Sequence, residues 1–170
     1  MTNAGTLKLT TRGDREIVMT RAFDAPRTLV WDAFTKPELI KRWLLGPDGW
    51  SMPVCEIDLR LGGRYRYVWR NTRGNEMGMG GVYREIVPPE RIVATEKFDE
   101  SWYPGEAVGT LVLLEQDEKT TLTQTVLYAS REAREAVLKS GMESGVAAGY
   151  DRLEKLLAST PAGGNTRGNK

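Results

Sequence analysis

Residues 130–158 read SREAREAVLKSGMESGVAAGYDRLEKLLA, and how this run folds decides what the rest of the chain must do around it. Ser130 suits an N-cap and apolar residues recur behind it at helical spacing, which predicts one long helix over about 131–158 that Thr160-Pro161 terminates. At 1.5 Å per residue it would run roughly 40 Å. Stepping about 100° per residue from Gly141 gathers Leu138, Met142, Gly145, Gly149, Leu153 and Leu156 into one arc, while Lys139, Glu143, Ser144, Asp151, Glu154 and Lys155 fall outside it. The glycines therefore belong to the apolar stripe, although each costs roughly 1 kcal/mol relative to alanine in a helix interior. Two readings follow. Either the missing side chains let the helix approach its neighbours closely, with aromatic rings filling the lost volume, or they leave a void in which a small molecule binds.

The upstream sequence supplies what such a helix would pack on. TLKLTT (6–11) and REIVMTRA (15–22) flank Arg12-Gly13-Asp14 and read as a hairpin or a strand broken by a turn. Pro26 stands near the start of a short helix carrying Leu29, Val30, Ala33 and Phe34. Thr35-Lys36-Pro37-Glu38 has the form of a capping box opening a second short helix with Ile40, Trp43 and Leu44. From there the pattern is strands: 54–60, 64–70, 76–87, 91–98, 109–116 and 120–128, separated by turn clusters such as Leu61-Gly62-Gly63 and Val87-Pro88-Pro89-Glu90. Short links imply antiparallel neighbours. The fold class is α+β: a curved antiparallel sheet of about six to seven strands wrapped around a long C-terminal helix, with two short helices after the first strand. One domain over 6–158 is expected, between a flexible N-terminus (1–5) and a disordered tail (159–170).

Composition narrows the chemistry. The 170 residues hold 24 Lys+Arg and 23 Asp+Glu, a formal net charge of +1, which gives no overall electrostatic footprint for nucleic acid or an anionic membrane. There is no histidine, so imidazole bases, Ser-His-Asp systems and histidine metal sites are excluded together. The single cysteine, Cys55, cannot form an intramolecular disulfide. No apolar run approaches the ~20 residues of a membrane span and no signal-peptide segment opens the sequence, so a cytoplasmic protein is expected.

Several stretches carry a resemblance. REIVMTRAFDAPRTLVWDAFTKPELIKRWLLGPDGW, CEIDLRLGGRYRYVWR, GVYREIVPPERIVATE and SREAREAVLKSGMESGVAAGYDRLEKLL together resemble the AHSA1-like (activator of Hsp90 ATPase homologue type) bacterial branch of the START/Bet v 1-like, or SRPBCC, superfamily over about residues 15–158. The resemblance implies the helix-grip fold with a cavity opening near the short helices, and a hydrophobic small molecule as partner. It also implies two alternatives, a co-chaperone module that meets a chaperone and an enzyme of the cyclase or hydrolase type. Members often carry Trp-Trp in the second helix and Gly-Trp on the last. The matching positions here read Arg42-Trp43-Leu44 and Gly145-Val146, which implies lost aromatic bulk near the cavity.

Alternation places Tyr65, Tyr67 and Trp69 on one face of their strand, looking inward, and Arg64, Arg66 and Arg70 on the other. The aromatics are either core beneath the helix or a pocket wall. Trp43 and Trp50 flank the expected mouth. Gly78, Gly80 and Gly81 in MGMGGVY (77–83) suggest a bent or bulged strand, and the face taken by Tyr83 stays open. For catalysis the candidates are Glu56, Asp58, Glu85, Glu96 and the inward tyrosines; Glu56 and Asp58 alternate with Cys55, Ile57 and Leu59 and point outward, so no carboxylate pair is placed in the cavity. The expected ligand site is Trp43, Trp50, Tyr65, Tyr67, Trp69, Tyr83, Met142, Gly145, Val146, Gly149 and Leu153, with no metal, no cofactor and no catalytic residue assigned. Neither a nucleic-acid nor a membrane partner is expected, and the chain is expected to be a monomer or weak homodimer. The pocket reading requires a cavity beside Gly145 and Gly149; ligand pockets usually reach about 300 Å³ or more.

Overall fold

The computed structural model describes residues 6–100 and 102–160. The 6–22 region is a hairpin, β1 (Lys8–Arg12) and β2 (Glu16–Phe23). Two helices follow, α1 (Arg27–Thr35) and α2 (Pro37–Trp43), then six strands: β3 (Trp50–Ile57), β4 (Arg64–Asn71), β5 (Glu76–Val87), β6 (Arg91–Phe98), β7 (Ala107–Gln116) and β8 (Lys119–Leu127). The chain finishes with α3 (Arg131–Lys139) and α4 (Met142–Ala158). All eight strands form one antiparallel sheet in the order β1-β2-β8-β7-β6-β5-β4-β3. The hairpin contributes two strands, so the sheet exceeds the expected six to seven.

The C-terminal run is not one helix. Ser130 caps α3 as expected, its Oγ accepting from the Ala133 N–H at 3.1 Å. The first helix closes at Ser140, whose N–H and hydroxyl both donate to the Val137 carbonyl, and Gly141 then takes a left-handed conformation at φ +80° before α4 begins. An L side chain at that φ is strained, so Gly141 serves the turn and not the apolar stripe; a Cβ there would meet nothing within 4 Å.

The expected capping box is also replaced. Thr35 still belongs to α1, its hydroxyl donating back to the Trp31 carbonyl, and α2 starts from Lys36 with Pro37 in its first turn. Leu59 lies past the end of β3 and is 38% exposed, so the inward alternation stops at Ile57; Glu56 and Asp58 are exposed, as expected. At the end of α4, Ser159 and Thr160 are held to its last turn by bonds to the Leu156 carbonyl. Pro161 and the remaining expected tail, like the expected flexible residues 1–5, lie outside the described residues.

The helices cover the concave face of the sheet over two adjoining apolar clusters. One, beneath α1, α2 and α4, includes Phe23, Val30, Ile40, Trp43, Leu113, Leu122 and Leu153. The other, beneath α3, includes Ile17, Met19, Ala107, Val126 and Val137. Polar clamps fix the helices in place. Arg21, on the inner side of β2 and 3% exposed, pairs with Asp151 and Glu154 of α4 and stacks over Phe23. Arg134 of α3 donates to the carbonyls of Gly13 and Glu16 at the β1–β2 turn. Arg152 of α4 donates to the Gly46 carbonyl and to Asp48, tying α4 to the loop after α2.

Candidate ligand cavity

Between sheet and helices lies a cavity of about 540 Å³, within the usual size of small-molecule sites. Its floor is the inner face of β4 to β8. Alternation delivers Tyr65, Tyr67 and Trp69 of β4 inward, and Arg66 and Arg70 outward to ion pairs with Asp99 and Glu76. Tyr83 also faces in, resolving the open point. A bulge between Tyr83 and Glu85 shifts the register of β5, so Met77, Met79 and Tyr83 line the cavity on one side of it and Ile86 joins the core on the other. Gly80 and Gly81 lie where the strands press close: a Cβ on Gly81 would sit 1.8 Å from the Thr95 carbonyl oxygen.

The roof comes from the end of α2 and from α4. Trp43 is 1% exposed and its indole N–H donates to the Ala33 carbonyl; the Trp69 indole donates to the Leu44 carbonyl, holding the end of α2 over the sheet. Gly149 approaches this segment closely, since a Cβ there would stand 3.4 Å from the Trp43 carbonyl oxygen. Gly145 faces the Gly46-Pro47 loop with room for a methyl group, 3.5 Å from Pro47 Cδ. The three glycines thus do three things: a turn at 141, spare room at 145 and close helix packing at 149. The exposed lining residues, Pro47, Met77 and Trp102, mark the mouth.

Of the expected site residues, Trp43, Trp50, Tyr65, Tyr67, Trp69, Tyr83, Met142, Gly145, Val146 and Gly149 line the cavity. Leu153 does not. One turn beyond Gly149, it is fully buried in the core with Leu113 and Leu122.

One part of the cavity is polar, and it holds residues the expected site omitted. Glu96 of β6 lines it together with Gln124 of β8, Tyr103 of the loop before β7, and Tyr128 just after β8. Burial pushes the Glu96 carboxyl up to about 7. Its residue surface is only partly covered, because it opens onto the cavity space and not onto the outside. Burial likewise raises the phenols: Tyr103 to about 12, and Tyr65, Tyr67, Tyr83, Tyr128 and Tyr150 well above the ordinary tyrosine value, so all are neutral donors at physiological pH. The Tyr65 hydroxyl is already committed to the Thr95 carbonyl at 2.6 Å. Burial also holds the Cys55 thiol up at about 11, which leaves it a poor nucleophile. The signal for Glu96 was present in the sequence: Ile92, Ala94, Glu96 and Phe98 share one side of β6 by alternation, as Leu122, Gln124 and Val126 do on β8.

Among the described residues no cluster of three His, Cys, Asp or Glu side chains could hold a metal ion, and no helix is long and apolar enough to cross a membrane. No curated protein matches the chain. Solved structures do. A protein from Rhodobacter sphaeroides is 32% identical, with a TM-score of 0.87 over 92% of this chain and 100% of its own. One from Nitrosomonas europaea is 25% identical at 0.77, over 86% and 96%. The AHSA1-like protein from Aeromonas hydrophila, 17% identical at 0.68 over 83% and 93%, shares the fold. The family model described as "Activator of Hsp90 ATPase homolog 1-like protein" matches residues 24–158. With that match spanning most of the chain and the helix-grip architecture around its cavity, the chain belongs to the AHSA1-like family of the START/Bet v 1-like (SRPBCC) superfamily.

Proposed function

We propose that this protein binds an apolar or amphipathic small molecule between the sheet aromatics and α4. The observation that carries the reading is the cavity of about 540 Å³, walled by aromatic and methionine side chains and left open by Gly145 and Val146. Burying a ligand against such walls yields roughly 25 cal/mol per Å² of apolar surface, enough for a useful affinity once the entropy of association is met. Native mass spectrometry of protein purified from its source tests it. A small-molecule adduct that leaves on denaturation is expected; a bare chain that also fails to take up any member of an apolar compound library would reject the reading.

The AHSA1-like fold is compatible with either small-molecule or chaperone interaction. A chaperone-binding role has less to stand on here, because the exposed large apolar residues Leu59, Leu61, Met77, Val87, Trp102 and Leu114 are spread over separate segments. A second reading, proton transfer on the bound molecule, is favoured by one observation: a carboxyl poised near 7 inside an apolar cavity is suited to general acid–base work. Deuterium uptake by a panel of apolar ketones in heavy water tests it. Exchange that disappears in Glu96→Gln supports this reading, and exchange no faster than in buffer removes it.

A further inference from the structure

The charge of the cavity narrows its ligand. Among the described residues that line it there is no lysine or arginine, and Glu96 is the only carboxylate. The buried guanidiniums form their ion pairs elsewhere: Arg21 through its two terminal nitrogens with Asp151 and Glu154, its buried Nε having no partner among the described residues, and Arg134 with the β1–β2 turn and Glu135. Among the described residues, nothing donates a hydrogen bond to Glu96 or pairs with it; burial alone accounts for its behaviour.

The backbone beneath it is arranged to keep that carboxylate accessible. Gly109 of β7 lies between Glu96 and Gln124, and a Cβ at position 109 would fall 2.7 Å from Glu96 Oε2 and 2.9 Å from Gln124 Nε2. Two polar ends from two different strands therefore converge over one glycine, whose missing side chain leaves them room. Tyr103 and Tyr128, in edge-to-face contact at 5.4 Å, line the same cavity. The titratable groups that face Glu96 from the surrounding elements are tyrosines: Tyr65 and Tyr67 from β4, Tyr103 from its loop, Tyr128 after β8 and Tyr150 from α4. None of them supplies a cation.

Resting on the small-molecule reading above, we infer that the ligand is an amphiphile with a hydrogen-bond-donating, positively charged head, an amine on an apolar body, whose head donates to the Glu96 carboxylate over Gly109 while its body lies among Tyr67, Trp69 and Met79. A carboxylate or phosphate head is refused, because it would face Glu96 with no cation to offset it. An ammonium there gains a charge-assisted hydrogen bond and gives the buried carboxylate its missing partner. Since that bond needs the ionised form, the amine preference fades as Glu96 takes up its proton.

The test uses three probes with one body: 2-naphthylmethylamine, 2-naphthalenemethanol and 2-naphthoate, titrated calorimetrically into the full-length protein at pH 8 and pH 5. The amine should bind about tenfold or more tighter than the alcohol at pH 8, the scale of one charge-assisted hydrogen bond, and the carboxylate weakest of all. In Glu96→Gln the amine and the alcohol should become equal. If that variant fails to fold, the wild-type pH series decides, with the amine's advantage lost at pH 5. A carboxylate that binds as tightly as the amine, or an amine preference that survives both Glu96→Gln and pH 5, overturns the ligand class and leaves the pocket reading standing. Failure of all three probes to bind overturns the ligand class, and the native mass spectrometry and library screen above then decide the pocket reading separately.

Discussion

Replacing Glu96 by glutamine should stabilise this protein at alkaline pH and leave it nearly unchanged in acid. Glu96 lines the cavity, where burial raises its carboxyl from an ordinary 4.5 to about 7. The folded state therefore holds a proton that the unfolded chain releases between those two values. Stability from this group is complete below about pH 4.5, falls as pH rises from there, and reaches its floor above 7. Each pKa unit is worth 1.36 kcal/mol, so the full loss approaches about 3 kcal/mol, an upper figure because the cavity admits some solvent. Glutamine keeps the shape and never ionises. Urea unfolding of both proteins from pH 4 to pH 8.5 should give a stability difference that starts near zero and grows to between about 1 and 3 kcal/mol in favour of the variant. A difference that stays flat across this range, or one that turns against the variant as pH rises, would show that Glu96 is not held in the desolvated setting described.

Other substitutions probe the helices. Gly145→Ala should raise stability by up to about 1 kcal/mol, since its methyl group meets Pro47 and Gly46 at ordinary contact distance and the helix gains propensity, whereas Gly141→Ala should cost about 1–2 kcal/mol because of its left-handed φ; equal thermal shifts for the two would contradict the helix break. The α4 clamp should respond asymmetrically. Removing both carboxylates, Asp151→Asn with Glu154→Gln, strands Arg21 as a buried cation and should cost about 3–5 kcal/mol, while Arg21→Met should cost clearly less because it leaves only carboxylates that can turn to water. Denaturant titrations of the two variants check the order.

Much of this architecture was legible because simple periodicities governed it. Period-two alternation in RYRYVWR set three aromatics inward and the arginines outward, and the turn clusters marked where one strand ended and the next began. What escaped depended on conformations that spacing does not carry. Gly141, Gly145 and Gly149 fall within one arc by helical spacing, yet a positive φ at the first ends one helix and begins another. The bulge after Tyr83 hid that residue's face, because alternation counted from either end of β5 gives opposite answers. Leu153 shares its stripe with cavity residues, but by that turn α4 has passed beyond the cavity and packs on the core. The inward face of Glu96 follows only when it is counted with Ile92, Ala94 and Phe98 on its own strand.

The central claim is that the space beside Gly145 and Val146 is open for another molecule. Leu44 and Val146 both line it, so Leu44→Trp with Val146→Trp should refill it with aromatic rings. Fluorescence titration with N-phenyl-1-naphthylamine, run beside circular dichroism and thermal melting of both proteins, is the direct test. One saturable site is expected in the natural chain and affinity weakened by about tenfold or more in the doubly substituted one, with fold and melting temperature kept. A natural chain with no saturable site, or a refilled one that binds the probe equally well, would contradict it.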